Sequence, residues 1–163
     1  MVLDTNVYGE MIKEGVAQAL ADRLLAFRNT LVIYGLPEIR TELRSAPRFL
    51  RIGGKNLRIA LLEAYDVITE GRVLEDRKAA ERLAQRYYEA YRESDGHRSW
   101  KDMRIDLLII AKATLLGIDV VTSEDRTTMR SAPALAAYAA VNKESSLITP
   151  FFYTYQMFKD LLL

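Results

Sequence analysis

The sequence predicts an α/β domain on a parallel sheet, and three observations predict it. Apolar or β-branched runs at Met1–Asp4, Thr30–Tyr34 and Ile118–Thr122 have the length of buried strands. Longer stretches of helical apolar period separate them, punctuated by Gly and Pro. Strands that alternate with helices form parallel sheets, because a parallel pair needs a long crossover.

The elements follow in order. Met1–Asp4 is a first strand that stops in an acid. Val7–Arg28 reads as helix in two pieces hinged near Gly15. Thr30–Tyr34 is a second strand, broken by Gly35-Leu36-Pro37. Pro37 suits a helix first turn, Glu38–Ser45 continues that helix, and Pro47 ends it. A basic connector follows, with Arg48, Arg51, Lys55 and Arg58 around Gly53-Gly54. Leu57–Thr69 and Glu75–Glu93 are amphipathic helices split by Gly71. Ser94–Ser99 is a polar loop. Lys101–Leu116 is a helix with an apolar face of Ile105, Leu108, Ile109 and Ala113, stopped by Gly117. Ile118–Thr122 is the third strand. Ser131–Val141 is an alanine-rich helix, Leu147-Ile148-Thr149 a short edge strand, and a terminal helix runs through Phe158 and Leu162.

Composition bounds the function. With 163 residues, 50% of them hydrophobic, the chain is expected to be one domain (1–163) with a real core. Net charge is +1, so a nucleic-acid signal has to be local. The absence of cysteine excludes disulfides, thiolate zinc sites and cysteine nucleophiles. A single histidine, His97, excludes multi-histidine metal sites. The first apolar run breaks at Asp4, so no signal peptide is expected. The longest apolar run, Leu107–Ala113, is interrupted by Lys112 and is too short to span a bilayer. A cytoplasmic location is the expectation.

Four acids carry the chemical argument. Asp4 ends the first strand, and in open α/β sheets the carboxyl edge is where ligands sit. Glu42 lies one turn into the helix after the second strand, Asp106 on the helix before the third, and Asp125 just after the third. Each has a plainer reading. Asp4 suits a helix cap, Glu42 sits between Arg40 and Arg44 on a solvated face, and Ser123 with Asp125 suits a capped turn. Asp102 shares a face with Asp106, but Asp106 directly precedes the apolar run. Together the four would repel: at an effective dielectric near 20, two charges about 5 Å apart cost roughly 3 kcal/mol. Such a cluster makes sense when divalent cations fill it, since hard cations take carboxylate oxygen.

The pattern resembles the PIN domain, the ribonuclease fold of VapC-type toxins. The matching pieces are Val2-Leu3-Asp4-Thr5-Asn6, Leu36-Pro37 leading to Thr41-Glu42-Leu43, Ile105-Asp106-Leu107-Leu108-Ile109-Ile110-Ala111, and Val120-Val121-Thr122-Ser123-Glu124-Asp125. The resemblance implies a three-layer α/β/α fold with a central parallel sheet of about four to five strands. It implies a metal-dependent endoribonuclease whose Asp4, Glu42, Asp106 and Asp125 hold Mg2+ or Mn2+. It implies RNA as substrate, a homodimer, and an antitoxin as a further partner. Asn6 or Thr5 would orient the water or the first ligand. Glu38 stands in reserve for Glu42, and Glu124 for Asp125. The stretch from Arg48 to Glu93 is longer than a minimal toxin needs.

Other features point less far. Gly53-Gly54-Lys55 lacks the spacing of a phosphate-binding P-loop. The run Arg40, Arg44, Arg48, Arg51, Lys55, Arg58 reads first as solvated surface. Beside the acids it would suit a phosphate backbone, with Arg44 and Arg51 as substrate contacts. The tail aromatics Phe151, Phe152, Tyr153, Tyr155 and Phe158 read as core or dimer surface. A haloacid-dehalogenase-like phosphatase also starts with a strand ending in aspartate, but needs a second aspartate where this chain has Asn6. A catalytically idle PIN-like module that only binds RNA or protein is the alternative from another class.

Overall fold

The computed structural model describes residues 1–75 and 78–163. Strand β1 (Val2–Leu3) runs into helix α1 (Thr5–Glu14), and α2 (Ala17–Ala26) follows. Gly15 joins the two helices at φ 72°, a conformation that favours glycine, so the expected hinge is present. Next come α3 (Pro37–Arg44), β2 (Arg51–Ile52), β3 (Lys55–Asn56) and α4 (Leu57–Thr69). Then follow α5 (Lys78–Glu93), α6 (Trp100–Leu115), β4 (Val120–Thr122), α7 (Ala132–Glu144), β5 (Phe151–Tyr153) and α8 (Tyr155–Leu162). The predicted start of the fifth helix at Glu75 passes through residues 76–77, which lie outside the described residues.

The main sheet is parallel, with strand order β1-β4-β5. Val2 pairs with Val121, and Val121 in turn with Phe152. β1 and β4 are largely buried and read as apolar runs, as parallel strands do, whereas the edge strand β5 is partly open. The expected second strand is reduced to one bridge, between Val2 and Tyr34, and a further bridge joins Gly35 to Val73. β1 is only two residues long because Asp4 turns at once into α1, which leaves Thr30–Tyr34 little to pair with. The expected edge strand at Leu147–Thr149 is also displaced. The Leu147 N–H is held by the Asn142 carbonyl at the end of α7, Ile148 points into solvent, and the strand forms after Pro150 at Phe151–Tyr153.

The basic connector is not a plain loop but an antiparallel hairpin, with Arg51 opposite Asn56. Gly53 and Gly54 make its turn at φ 57° and 80°, the pair of positive values a tight two-residue hairpin requires. Helix α6 is the central pillar: Leu107 through Thr114 are all buried. Its predicted apolar face holds at Leu108, Ile109 and Ala113, whereas Ile105 is exposed. Ser99 and Asp102 form a capping box at its start, which accounts for Asp102 without a site. Among the described residues no helix is long and apolar enough to cross a membrane.

Candidate carboxylate site

β1 and β4 run side by side and deliver Asp4 and the Ser123–Asp125 turn to the same sheet edge. The Asp4 N–H still bonds the Thr122 carbonyl (2.9 Å), as the last rung of the ladder. Asp4 is buried, and its carboxylate accepts two local hydrogen bonds and one from across the sheet edge. Oδ1 accepts from the Thr5 N–H (2.7 Å), and Oδ2 accepts from the Ser123 hydroxyl (2.6 Å) and the Asn6 amide (2.5 Å). The capping reading of Asp4 is thus met in part, through Thr5.

Three hydroxyls join the four acids. Thr5 Oγ1 donates to Glu42 Oε2 (2.6 Å) and so ties α3 to the start of α1. Ser123 Oγ donates to Asp4 and accepts from the Asp125 N–H (3.0 Å). Thr128 Oγ1 lies between the carboxylates of Asp106 and Asp125. That hydroxyl has a single proton and can serve only one of the two as donor. Asp125 also accepts from Thr127 N (2.7 Å) and Thr128 N (3.0 Å), so it forms the predicted capped turn as well.

The electrostatics follow from this crowding. Burial pushes Asp106 up to about 7, and although the Thr128 hydrogen bond opposes it, the charges of Asp4, Asp125 and Glu42 add to the rise. Asp4 is raised as well, chiefly by burial. Burial pushes Asp125 the same way, but hydrogen bonds from Thr128 and Thr127 outweigh it and hold the group below its usual range.

The two reserve acids are engaged elsewhere. Glu124 Oε1 accepts from the Tyr155 N–H (2.5 Å) at the start of α8. Both oxygens of Glu38 accept from the Lys112 ammonium at 2.8 Å. Asn6 is a brace: its amide nitrogen donates to Asp4 and Ser123, and its Oδ1 accepts from the Glu124 N–H. The structure does not bring Arg44 or Arg51 into this network. Arg44 stands roughly 200° around α3 from Glu42, where it lines a shallow hollow with Pro37, Arg40 and Thr41. Arg51 sits exposed on the hairpin. Arg40 pairs with Asp66 and Arg58 with the Ala46 carbonyl, so neither is a free cation.

Sequence reasoning missed Thr128, Ser123 as a linker, and Lys112 as more than an interruption. Only Lys112 left a signal, a lysine inside an otherwise apolar run. A largely apolar groove of about 630 Å³ lies away from the acids, between α1, α2, α4 and the hairpin. Among the described residues no group of three or more His, Asp or Glu side chains is already arranged to hold a metal ion. The donor chemistry nevertheless suits a hard divalent cation, being carboxylate oxygen throughout. The Tyr138 hydroxyl, buried and close enough to feel the charges of Asp106 and Asp125, has no hydrogen-bond partner among the described residues. No family model, curated protein or solved structure matches the chain.

Proposed function

We propose that the protein is a Mg2+- or Mn2+-dependent endoribonuclease of the PIN type, and that Asp4, Glu42, Asp106 and Asp125 form its metal site. The observation that carries this reading is one hydrogen-bond network holding four carboxylates: Thr128 Oγ1 lies between Asp106 and Asp125, Ser123 Oγ joins the Asp4 carboxylate to the Asp125 N–H, and Thr5 donates its N–H to Asp4 and its hydroxyl to Glu42. Mutual repulsion makes such an arrangement unfavourable unless protons or cations offset it.

A divalent cation there would neutralise charge on the phosphodiester and activate the attacking water. The chain's own part is to hold the acids ready. Ser123 and Asn6 fix the orientation of Asp4, Thr5 fixes Glu42, and Thr128 holds Asp106 and Asp125 together. Asp106, near neutrality in its proton affinity, can take up or release a proton as the cation leaves or enters.

RNA is the proposed substrate, with Arg44 and Arg51 as outlying phosphate contacts rather than members of the site. A homodimer, a cytoplasmic setting and a toxin role with an antitoxin partner belong to the same proposal. The second reading, an idle PIN-like binding module, is favoured by one observation: no three carboxylates already converge on a point. Incubating end-labelled RNA with the protein and Mn2+ separates the two. Cleavage that is lost in EDTA and in Asp106→Asn supports the nuclease. Retention of intact RNA on the protein, with or without metal, supports the module.

A further inference from the structure

Lys112 is a second unusual charge beside the acids. Its side chain is only 2% exposed, in the last turn of the most buried helix, and that of Glu38 is 14% exposed. Both Glu38 oxygens lie 2.8 Å from its ammonium, a two-point contact that fixes the carboxylate plane. Buried ion pairs are poor sources of net stability, because desolvation offsets their attraction; where kept, they serve geometry. The geometry here is specific. Glu38 and Glu42 stand four residues apart on α3 and share a face. Lys112 and Asp106 belong to the same helix, α6. Among the described residues, the Lys112–Glu38 pair is the only side-chain hydrogen bond or ion pair from α3 to α6.

We propose that the buried Lys112–Glu38 pair is a positioning device: it locks α3 on α6 one turn from Glu42 and thereby sets the distance between Glu42 and Asp106. This rests on the reading of the four acids as a divalent-cation site. Thr5 holds the Glu42 carboxylate from the α1 side, and the ion pair holds its helix from the α6 side. Neither Lys112 nor Glu38 touches substrate.

The test uses the whole chain in three variants, Lys112→Met, Glu38→Gln with Lys112→Met, and Glu38→Asp. Mn2+ affinity is read from the loss of the free-ion electron paramagnetic resonance signal, beside amide exchange in the metal-free protein and cleavage of labelled RNA. Partners that orient metal ligands typically change affinity or activity by 10–100-fold when removed. The double variant, which loses both charges together, is expected to stay folded, with Mn2+ binding about tenfold weaker. Its kcat should fall by a similar factor at saturating Mn2+, with KM for RNA unchanged, and amide exchange in α3 should quicken. Glu38→Asp, which keeps the charge but shortens the tie, should fall between. It decides on the same readouts if the double variant does not fold.

Lys112→Met alone separates positioning from a direct role for Glu38. A device that sets distance predicts weaker Mn2+ binding. A Glu38 released to act as ligand predicts tighter binding, and that result overturns the proposal. Unchanged Mn2+ affinity and kcat in a folded double variant also overturn it, while leaving the nuclease reading intact. A wild-type protein that binds no Mn2+ overturns both. One that binds Mn2+ without cleaving RNA overturns only the nuclease reading, and Mn2+ affinity then decides the positioning role.

Discussion

Burial, helped by the charges of Asp4, Asp125 and Glu42, leaves Asp106 half protonated near neutral pH. The folded chain therefore binds this proton more tightly than the unfolded chain does. The stability it contributes is full below about pH 4 and is lost as pH rises to about 7. At about 1.4 kcal/mol per pH unit, metal-free wild type should lose on the order of 2 kcal/mol from this group between pH 5.5 and 8. Asp106→Asn should lack that loss, and should be as stable as wild type or more so at pH 8. Urea unfolding in EDTA at the two pH values measures it; parallel pH dependence in both proteins would remove Asp106 from the cluster. Mn2+ should then stabilise wild type more than the variant, since it binds the folded site and scarcely the unfolded chain. Ser123→Ala makes the complementary test. It strips Asp4 of a buried hydrogen bond and removes the acceptor of the part-buried Asp125 N–H. A loss of about 1–3 kcal/mol is expected by thermal unfolding in EDTA; no change would mean that water replaces the hydroxyl.

Among the elements, the hairpin and α3 divide the basic run into structural and free members. Arg40 and Arg58 are bound, whereas Arg44 and Arg51 have no ion-pair partner among the described residues. Substituting Arg44 and Arg51 together should weaken RNA binding and reduce the log–log salt slope by roughly one per lost contact, with Mn2+ affinity unchanged. Filter binding across a salt series reads the slope, and an unaltered slope assigns both arginines to plain surface. Much of the element order was legible because period and punctuation agree. Gly15, Pro37, Pro47 and Gly117 stand at or beside joints the structure uses. The second strand and the edge strand were not, because strand length depends on what the neighbour offers. β1 gives Tyr34 a single bridge, and the aromatic run pairs with β4 in preference to Leu147–Thr149. In the site, strand ends and helix spacing pointed to the acids. The hydroxyls that join them carry no periodic signal, since Thr and Ser in loops read simply as turn residues. Lys112 was legible as an anomaly, but its partner lies 74 residues away.

For the whole molecule, β5 closes the sheet on one side and leaves Phe151 71% exposed at the edge. If the proposed homodimer uses this apolar edge, Phe151→Glu should shift light scattering from dimer to monomer mass while the unfolding midpoint at low concentration stays within a few degrees. A monomer at tens of micromolar in wild type would dispose of the dimer.

The order β1-β4-β5 also bears on how the protein comes into being. Val2 finds its partner in Val121, 119 residues along the chain. A loop of that length closes late, because its entropy has to be met before the pairing returns anything. Asp4 and Asp125 meet only at that closure, since one leaves β1 and the other follows β4. A nascent chain still short of β4 therefore carries three of the four acids but lacks Asp125 and the strand that pairs with β1. During synthesis the fold acts as its own timer: whatever chemistry the four acids perform begins only once most of the chain has left the ribosome.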